Sequence, residues 1–350
     1  MGSVATSTWM TGLLALSFVG GAAADVSEFY KDKTVTMIIS TGAGGGYDLT
    51  ARLVARHLPK YLPGSPTIVP RNMPGAGNIL AANYLYNVAP KDGSTIATFA
   101  QALFLAQPLE SPGVKFDARE FYYLGSASVD NSTVYAWHTA GITKIEEVYT
   151  KELLLGATGV GSGTTVYPTL MNNLLGTKFK IVAGYKTSPE VDLAMSRGEV
   201  EGRAGNNFQS LKANRPDWLA EKKIVFLLQI GLERDSDYPD VPLLTELAKN
   251  EEQRKIFAMF SAPVAIGRPF LTTPDVPRDR AEALRGAFAS TMADPAFVAE
   301  GDKASLDIKP VSGARLAEIV ADLINTPPEI AAKAKVVGDD SGLAKPAKKE

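Results

Sequence analysis

Apolar residues fall into short runs separated by polar or glycine-rich breaks, and their period changes across each break. Residues 34–40, Thr-Val-Thr-Met-Ile-Ile-Ser, form an uncharged run rich in β-branched residues that reads as a buried strand. Leu49, Leu53, Val54 and Leu58 then recur at helical spacing, with Asp48 placed to cap the helix start. The pattern repeats with a strand at 66–71, a helix carrying Leu80, Tyr84, Leu85 and Val88, and a strand at 94–99 after the Lys91-Asp92-Gly93 turn. A βαβαβ order predicts a parallel sheet with right-handed crossovers.

A second α/β run begins near Gly125. Strands are predicted over 133–137, 153–157, 179–184, 200–204 and 224–230, and helices over 164–175, 189–197 and 208–220. The polar stretch 233–239 reads as a crossover. Helical patterns follow over 251–260, 279–292 and 314–324, with one strand at 264–267.

Three glycine-rich breaks each open a helix: Thr41-Gly42-Ala43-Gly44-Gly45-Gly46-Tyr47-Asp48, Asn72-Met73-Pro74-Gly75-Ala76-Gly77-Asn78, and Gly159-Val160-Gly161-Ser162-Gly163-Thr164-Thr165. Glycine lets backbone N–H groups approach a ligand without an intervening Cβ. A helix N-terminus adds unpaired donors and partial positive charge. Three such ends at one cleft suit a small carboxylate, and in open α/β sheets the ligand lies beyond the carboxyl ends of the strands. Thr164 and Thr165 can cap a helix and still offer hydroxyls. Asp48 is assigned to capping, because its charge would repel an anion. Arg203 ends a predicted strand, with Asn206 just beyond it. Two readings of Arg203 stand side by side: a salt bridge to Glu199 or Glu201, or a bidentate clamp on a ligand carboxylate.

Composition narrows the chemistry. The 350 residues suffice for two domains, and 45% hydrophobic with 21% charged residues is an ordinary globular balance. A formal net charge of −2 gives no reason to expect nucleic acid or an acidic membrane as partner. With no cysteine, disulfides, thiolate catalysis and Cys-ligated metal are excluded. Residues 9–24 are uncharged and mostly apolar, and end in Ala22-Ala23-Ala24 before Asp25. Residues 1–24 therefore read as a cleaved signal peptide, although Met1–Met10 carries no Lys or Arg.

Enzyme motifs fail. No Gly-Lys-Ser/Thr follows a glycine loop, and Tyr47 stands where a dinucleotide fingerprint needs its third glycine. Val160 and Thr164 replace the outer glycines of a nucleophile elbow. The two histidines, His57 and His138, have no nucleophile or carboxylate partner visible in sequence. No catalytic residue, metal or cofactor is expected.

At these residues the chain resembles the Bug-type receptors of tripartite tricarboxylate transporters (TctC-like proteins). The likeness runs through Gly44-Gly45-Gly46-Tyr47-Asp48 with Ala51-Arg52, the Asn72–Gly77 loop, Ala89-Pro90-Lys91-Asp92-Gly93-Ser94-Thr95, and Gly161–Thr165. Tyr185-Lys186, the helix and strand at 192–200, and Tyr238-Pro239-Asp240-Val241-Pro242-Leu243 with Glu246-Leu247 extend it over the mature chain. Met73, Asn78 and the pair Gly42-Ala43 depart from the family's usual residues. The resemblance implies an α/β, two-domain periplasmic-binding-protein fold of type II (Venus flytrap) with a central cleft. It also implies capture of a small organic carboxylate and delivery to the large and small membrane subunits of such a transporter. The expected site is Gly44, Gly45, Gly46, Tyr47, Gly75, Ala76, Gly77 and Asn78 on one wall, with Ser162, Gly163, Thr164, Thr165, Tyr185, Arg203 and Asn206 on the other. One domain is expected over 25–125 and 236–340, the second over 126–235, and a loose tail over 341–350. The protein is expected to be a periplasmic monomer. A module presenting its closed form to a sensor kinase is the alternative, and a periplasmic α/β enzyme a remote one.

Overall fold

A computed structural model describes residues 20–344 except Gly45, Val160 and Lys186. Most of the expected signal peptide, those three residues and the tail 345–350 lie outside the described residues.

Helix α1 (Gly20–Tyr30) runs across the expected cleavage point. It buries Val26 and Tyr30, and the Tyr30 hydroxyl donates to Gly93 O at 3.0 Å. The first sheet then forms as the alternation predicts. β1 (Thr34–Ile39) pairs in parallel with β2 (Thr67–Asn72) and β3 (Thr95–Thr98). Helices α2 (Gly46–His57) and α3 (Ile79–Asn87) make the crossovers. α2 buries Leu53 and Val54 of the predicted stripe, with Thr50, Ala51 and Ala55 beside them, whereas Leu49 is exposed. β4 (Tyr122–Ser126), β10 (Pro269–Thr272) and β11 (Val311–Ser312) join antiparallel, giving the order β11-β4-β10-β3-β1-β2. The sheet is therefore mixed, and β4, β10 and β11 were not expected from the sequence.

The second sheet has the order β7-β6-β8-β5-β9. Its strands are β5 (Ser132–Trp137), β6 (Leu153–Ala157), β7 (Phe179–Ala183), β8 (Gly202–Asn207) and β9 (Ile224–Ile230). The helices between them are α4 (Gly163–Leu175), α5 (Ser188–Ser196), α6 (Phe208–Asn214) and α7 (Pro216–Ala220). The single helix expected over 208–220 is divided at Arg215, since Pro216 disfavours helical geometry in the residue before it. β8 runs later than the expected 200–204.

The strand expected at 264–267 is instead the end of α8 (Glu251–Ile266). A short apolar run is ambiguous between strand and buried helix, and here it continues a helix that buries residues 256, 257, 259–264 and 266. Gly267 stops this helix with φ +63°, and a Cβ there would lie 2.0 Å from Ser128 O. Only glycine allows that approach, which aims Arg268 N at Ser128 O (2.9 Å) and Ser126 Oγ (3.0 Å). α9 (Arg278–Met292), α10 (Pro295–Lys303), α11 (Gly313–Ile324) and α12 (Pro328–Val337) complete the chain. α10 and α12 were not expected. Residues 341–344 form a 3₁₀ turn, closed by Leu343 N to Asp340 O at 2.9 Å.

One apolar cluster links the two halves, containing Ala97 and Phe99, Val134 and Leu155, and Phe257 and Phe260 of α8. α12 packs on α8 and on α4. Among the described residues no helix is long and apolar enough to cross a membrane.

Candidate functional site

The carboxyl ends of β1, β2 and β3 lead into the loops before α2, before α3 and to Gln101, while the loop after β6 leads to α4. Two cavities lie among these ends. The larger, about 490 Å³, is lined by Gly77, Gln101, Gly161, Gly163, Asn207 and Asp340 among others. The smaller, about 310 Å³, includes Tyr47, Gln101, Asp130, Asn207, Arg268 and Asp307. Gln101 and Asn207 line both, so the cavities adjoin as one cleft. Each volume falls within the ordinary range for small-molecule sites.

The first glycine loop is closed on itself. Asp48 is buried and accepts from Gly44 N at 2.9 Å, Arg52 Nε at 3.0 Å and Asn72 Nδ2 at 2.9 Å. Arg52 first, then the Gly44 amide and Asn72, bring its carboxyl down to about 2 against the cost of burial. Tyr47 projects into the smaller cavity, donating to Gly267 O at 3.2 Å and accepting from Gln101 N at 2.9 Å. A Cβ on Gly46 would lie 3.1 Å from the Arg268 guanidinium.

The second loop is a run of positive φ at Gly75, Ala76, Gly77 and Asn78. Only Gly77 of these four lines a cavity. The third loop is drawn tight against β8: Gly205 has φ +72°, and a Cβ there would lie 2.4 Å from the Gly163 carbonyl carbon. A side chain at Gly163 would meet the Tyr167 ring at 2.8 Å, so bulk at 163 disturbs packing as well as access. Ser162 Oγ donates to Gly159 O at 2.6 Å. Thr164 Oγ1 accepts from Thr158 N at 3.0 Å. Thr165 Oγ1 donates to Asp340 Oδ2 at 2.5 Å. These hydroxyls are engaged inside the protein.

Of the two readings of Arg203, the structure shows a salt bridge, with a different partner. Arg203 pairs with Asp192 at 2.8 Å, not with Glu199 or Glu201, and donates to Ser188 Oγ at 2.6 Å. The side chains of the pair are 3% and 8% exposed, and Arg203 lines neither cavity. Arg203 is bound into the scaffold beneath α5. Asn206 Nδ2 donates to the Tyr135 hydroxyl at 3.2 Å, and its neighbour Asn207 faces the cleft instead. A bulge at Gly205 puts Asn206 opposite Thr133 and so changes which residue faces where. Tyr185 is half-buried against the cluster of Met195, Val200 and Trp218, and lines neither cavity.

Four residues matter here that the sequence reading missed. Gln101 and Asn207 line both cavities. Arg268 presents a guanidinium with no ion-pair or hydrogen-bond partner among the described residues. Asp340 brings a carboxylate to the third glycine loop. Asp130 completes the electrostatics: burial chiefly, helped by Asp307 and Asp235 and opposed by the Gln209 amide and Lys309, pushes its carboxyl up to about 7. Burial likewise raises Asp307. Among the described residues no group of His, Asp and Glu could hold a metal ion.

A family model described as the tripartite tricarboxylate transporter family receptor matches residues 50–335. A relative from Cupriavidus necator, the UPF0065 protein in gbd 5'region, is 25% identical over 98% of this chain and 96% of its own. A solute-binding protein of the same family from Polaromonas superposes with a TM-score of 0.68 at 18% identity, over 88% of this chain and 98% of its own. MatC from Rhodopseudomonas palustris, solved with bound malate, gives 0.55 at 19% identity over 87% and 99%. The fold is that of two-domain periplasmic binding proteins.

Proposed function

Because this chain belongs to the tripartite tricarboxylate transporter receptor family, whose members are periplasmic solute receptors and not enzymes, we propose that it captures a small organic carboxylate in the cleft at Gln101 and Asn207. The carboxylate would then pass to the large and small membrane subunits of a transporter of that type. The observation that carries the reading is Arg268, a guanidinium without an ion-pair or hydrogen-bond partner among the described residues, beside the first turn of α2 and lining a cavity. A guanidinium and a carboxylate match as a bidentate pair. The N-terminus of α2 adds a favourable potential from the same side. Closure requires that the ligand touch both walls, because only differential affinity shifts the equilibrium between open and closed forms. Gly77 and Gln101 on one side, and Ser132, Gly163 and Asn207 on the other, provide those contacts. That a relative has been solved with malate favours small acids as the class. Residues 1–24 are read as a cleaved signal peptide, which intact mass of the exported protein checks: the mass of residues 25–350 supports the reading, and the full-length mass overturns it.

The test is thermal unfolding of protein freed of co-purified ligand by partial denaturation and refolding, against a panel of mono-, di- and tricarboxylates. A bound acid at ~100 times its Kd adds about 2.7 kcal/mol if it binds only the folded form. A rise in Tm of a few degrees with at least one acid is expected, and Arg268→Gln abolishes it. A panel without a shift overturns the proposal.

A further inference from the structure

The end of the chain supplies an anion of its own. Beyond α12 it turns back to the N-terminus of α4, held on the way by Asn173 Nδ2 donating to Val337 O at 2.8 Å. Asp340 Oδ2 accepts from Gly161 N at 2.7 Å and from Thr165 Oγ1 at 2.5 Å. The residue is 7% exposed and lines the larger cavity. It has no ion-pair partner among the described residues. Thr165, one of the residues that the sequence assigns to a ligand, and the Gly161 amide of the same glycine loop therefore already hold a carboxylate. A second carboxylate at the same donors would put two like charges in one site, which strongly disfavours ionisation of both. The wall around Asp340 is apolar, with Leu105, Leu109, Val166, Tyr167 and Phe260. Among the described residues the one cation lining that cavity, Lys335, is exposed. Arg268, without an ion-pair partner among the described residues, lies in the adjoining cavity.

We infer that Asp340 is a specificity-determining residue, filling the anion position at α4 so that the cleft takes acids with one carboxylate and an apolar far end. The ligand carboxylate sits on Arg268, and the tail runs past Gln101 and Asn207 toward Tyr167. This rests on the carboxylate-binding reading above and narrows its class to monocarboxylates.

The test is calorimetric titration of ligand-freed protein with acid pairs matched in length: butyrate and succinate, hexanoate and adipate, octanoate and suberate. Wild type is expected to bind the best monocarboxylate at least tenfold more tightly than its dicarboxylate partner. Asp340→Ala vacates the donors and should cut that preference at least tenfold by strengthening dicarboxylate binding. Asp340→Asn keeps an acceptor but removes the charge, and should give an intermediate preference. It also carries the test should Asp340→Ala fail to fold. A wild type that binds dicarboxylates as tightly as monocarboxylates overturns the inference but leaves carboxylate capture intact. So does a preference unchanged in the folded variants. No binding of any of the six acids to wild type or variants overturns the inference, and carboxylate capture falls with it only if the wider panel of mono-, di- and tricarboxylates gives no Tm shift.

Discussion

Two glycine loops of this protein each hold a carboxylate of the chain itself, and they hold it differently. Before α2, Asp48 is local: it accepts from Gly44 N four residues earlier and is locked by Arg52 and Asn72. Before α4, Asp340 comes from far along the chain, takes one amide and one hydroxyl, and meets no cation among the described residues. The first carboxylate is a fixed part of a scaffold; the second is a tethered anion on donors that would also suit a ligand. Glycine-rich helix starts thus attract carboxylates in both places, and the presence of a counter-charge separates a structural cap from a site feature.

Substitutions sharpen the contrast, beginning with the largest effect. Arg203→Ala leaves Asp192 buried with, among the described residues, only Arg215 as a cationic partner, at 3.4 Å. Breaking a buried pair in this way costs roughly 3–5 kcal/mol. Denaturant unfolding should show that loss, while calorimetric affinity for the bound acid stays within about twofold; a large affinity loss in a folded variant would return Arg203 to the site. Asp48→Ala unpairs Gly44 N and Asn72 and should cost about 1–3 kcal/mol, toward the lower end because the Arg52 side chain is 41% exposed. The sign with pH follows from a folded pKa below the unfolded one. This contribution is complete above the unfolded value of about 3.9 and is lost as pH falls toward about 2. Wild type and Asp48→Ala should therefore converge in stability in acid; curves that stay parallel would mean that Asp48 is not locked. Asp340→Ala, by comparison, should cost only about 1 kcal/mol, since water can serve the freed donors. A cost as large as that of Asp48→Ala would make Asp340 a structural cap too.

A smaller effect concerns the cleft's charge. Asp130 titrates near 7, so it is mostly neutral at pH 6 and mostly ionised at pH 8. An anionic ligand in the same cavity favours the neutral form, and binding takes up a proton. Affinity should fall severalfold between pH 6 and pH 8, and Asp130→Asn should flatten that slope. A slope that persists in Asp130→Asn assigns it to another group.

The alternation of strand and helix was legible for both sheets because β1, β6 and β9 are continuous apolar runs and α2 and α4 have clear starts. The end of α8 was not, since Ala262-Pro263-Val264-Ala265-Ile266 is as apolar as a strand and its helical state is set by packing. β4 and β11 depend on partners distant in sequence. The glycine breaks lie at the strand ends that border the two cavities. Their occupancy was invisible: Asp340 lies 175 residues from Thr165, and nothing local marks it. Arg268 could have been suspected from its place directly after Gly267, where a helix ends and a strand begins. Arg203 looked like a clamp because its partner Asp192 sits one helix away, whereas Glu199 and Glu201 are nearer in sequence but turned elsewhere.

The most direct measurement is a crystal structure of the ligand-freed protein with the monocarboxylate that gives the largest Tm shift. The account predicts density in the cleft between Gln101 and Asn207, the carboxylate on Arg268, and Asp340 still bound to Gly161 and Thr165. A ligand outside the cleft, or one whose carboxylate has displaced Asp340 from those two donors, would contradict it.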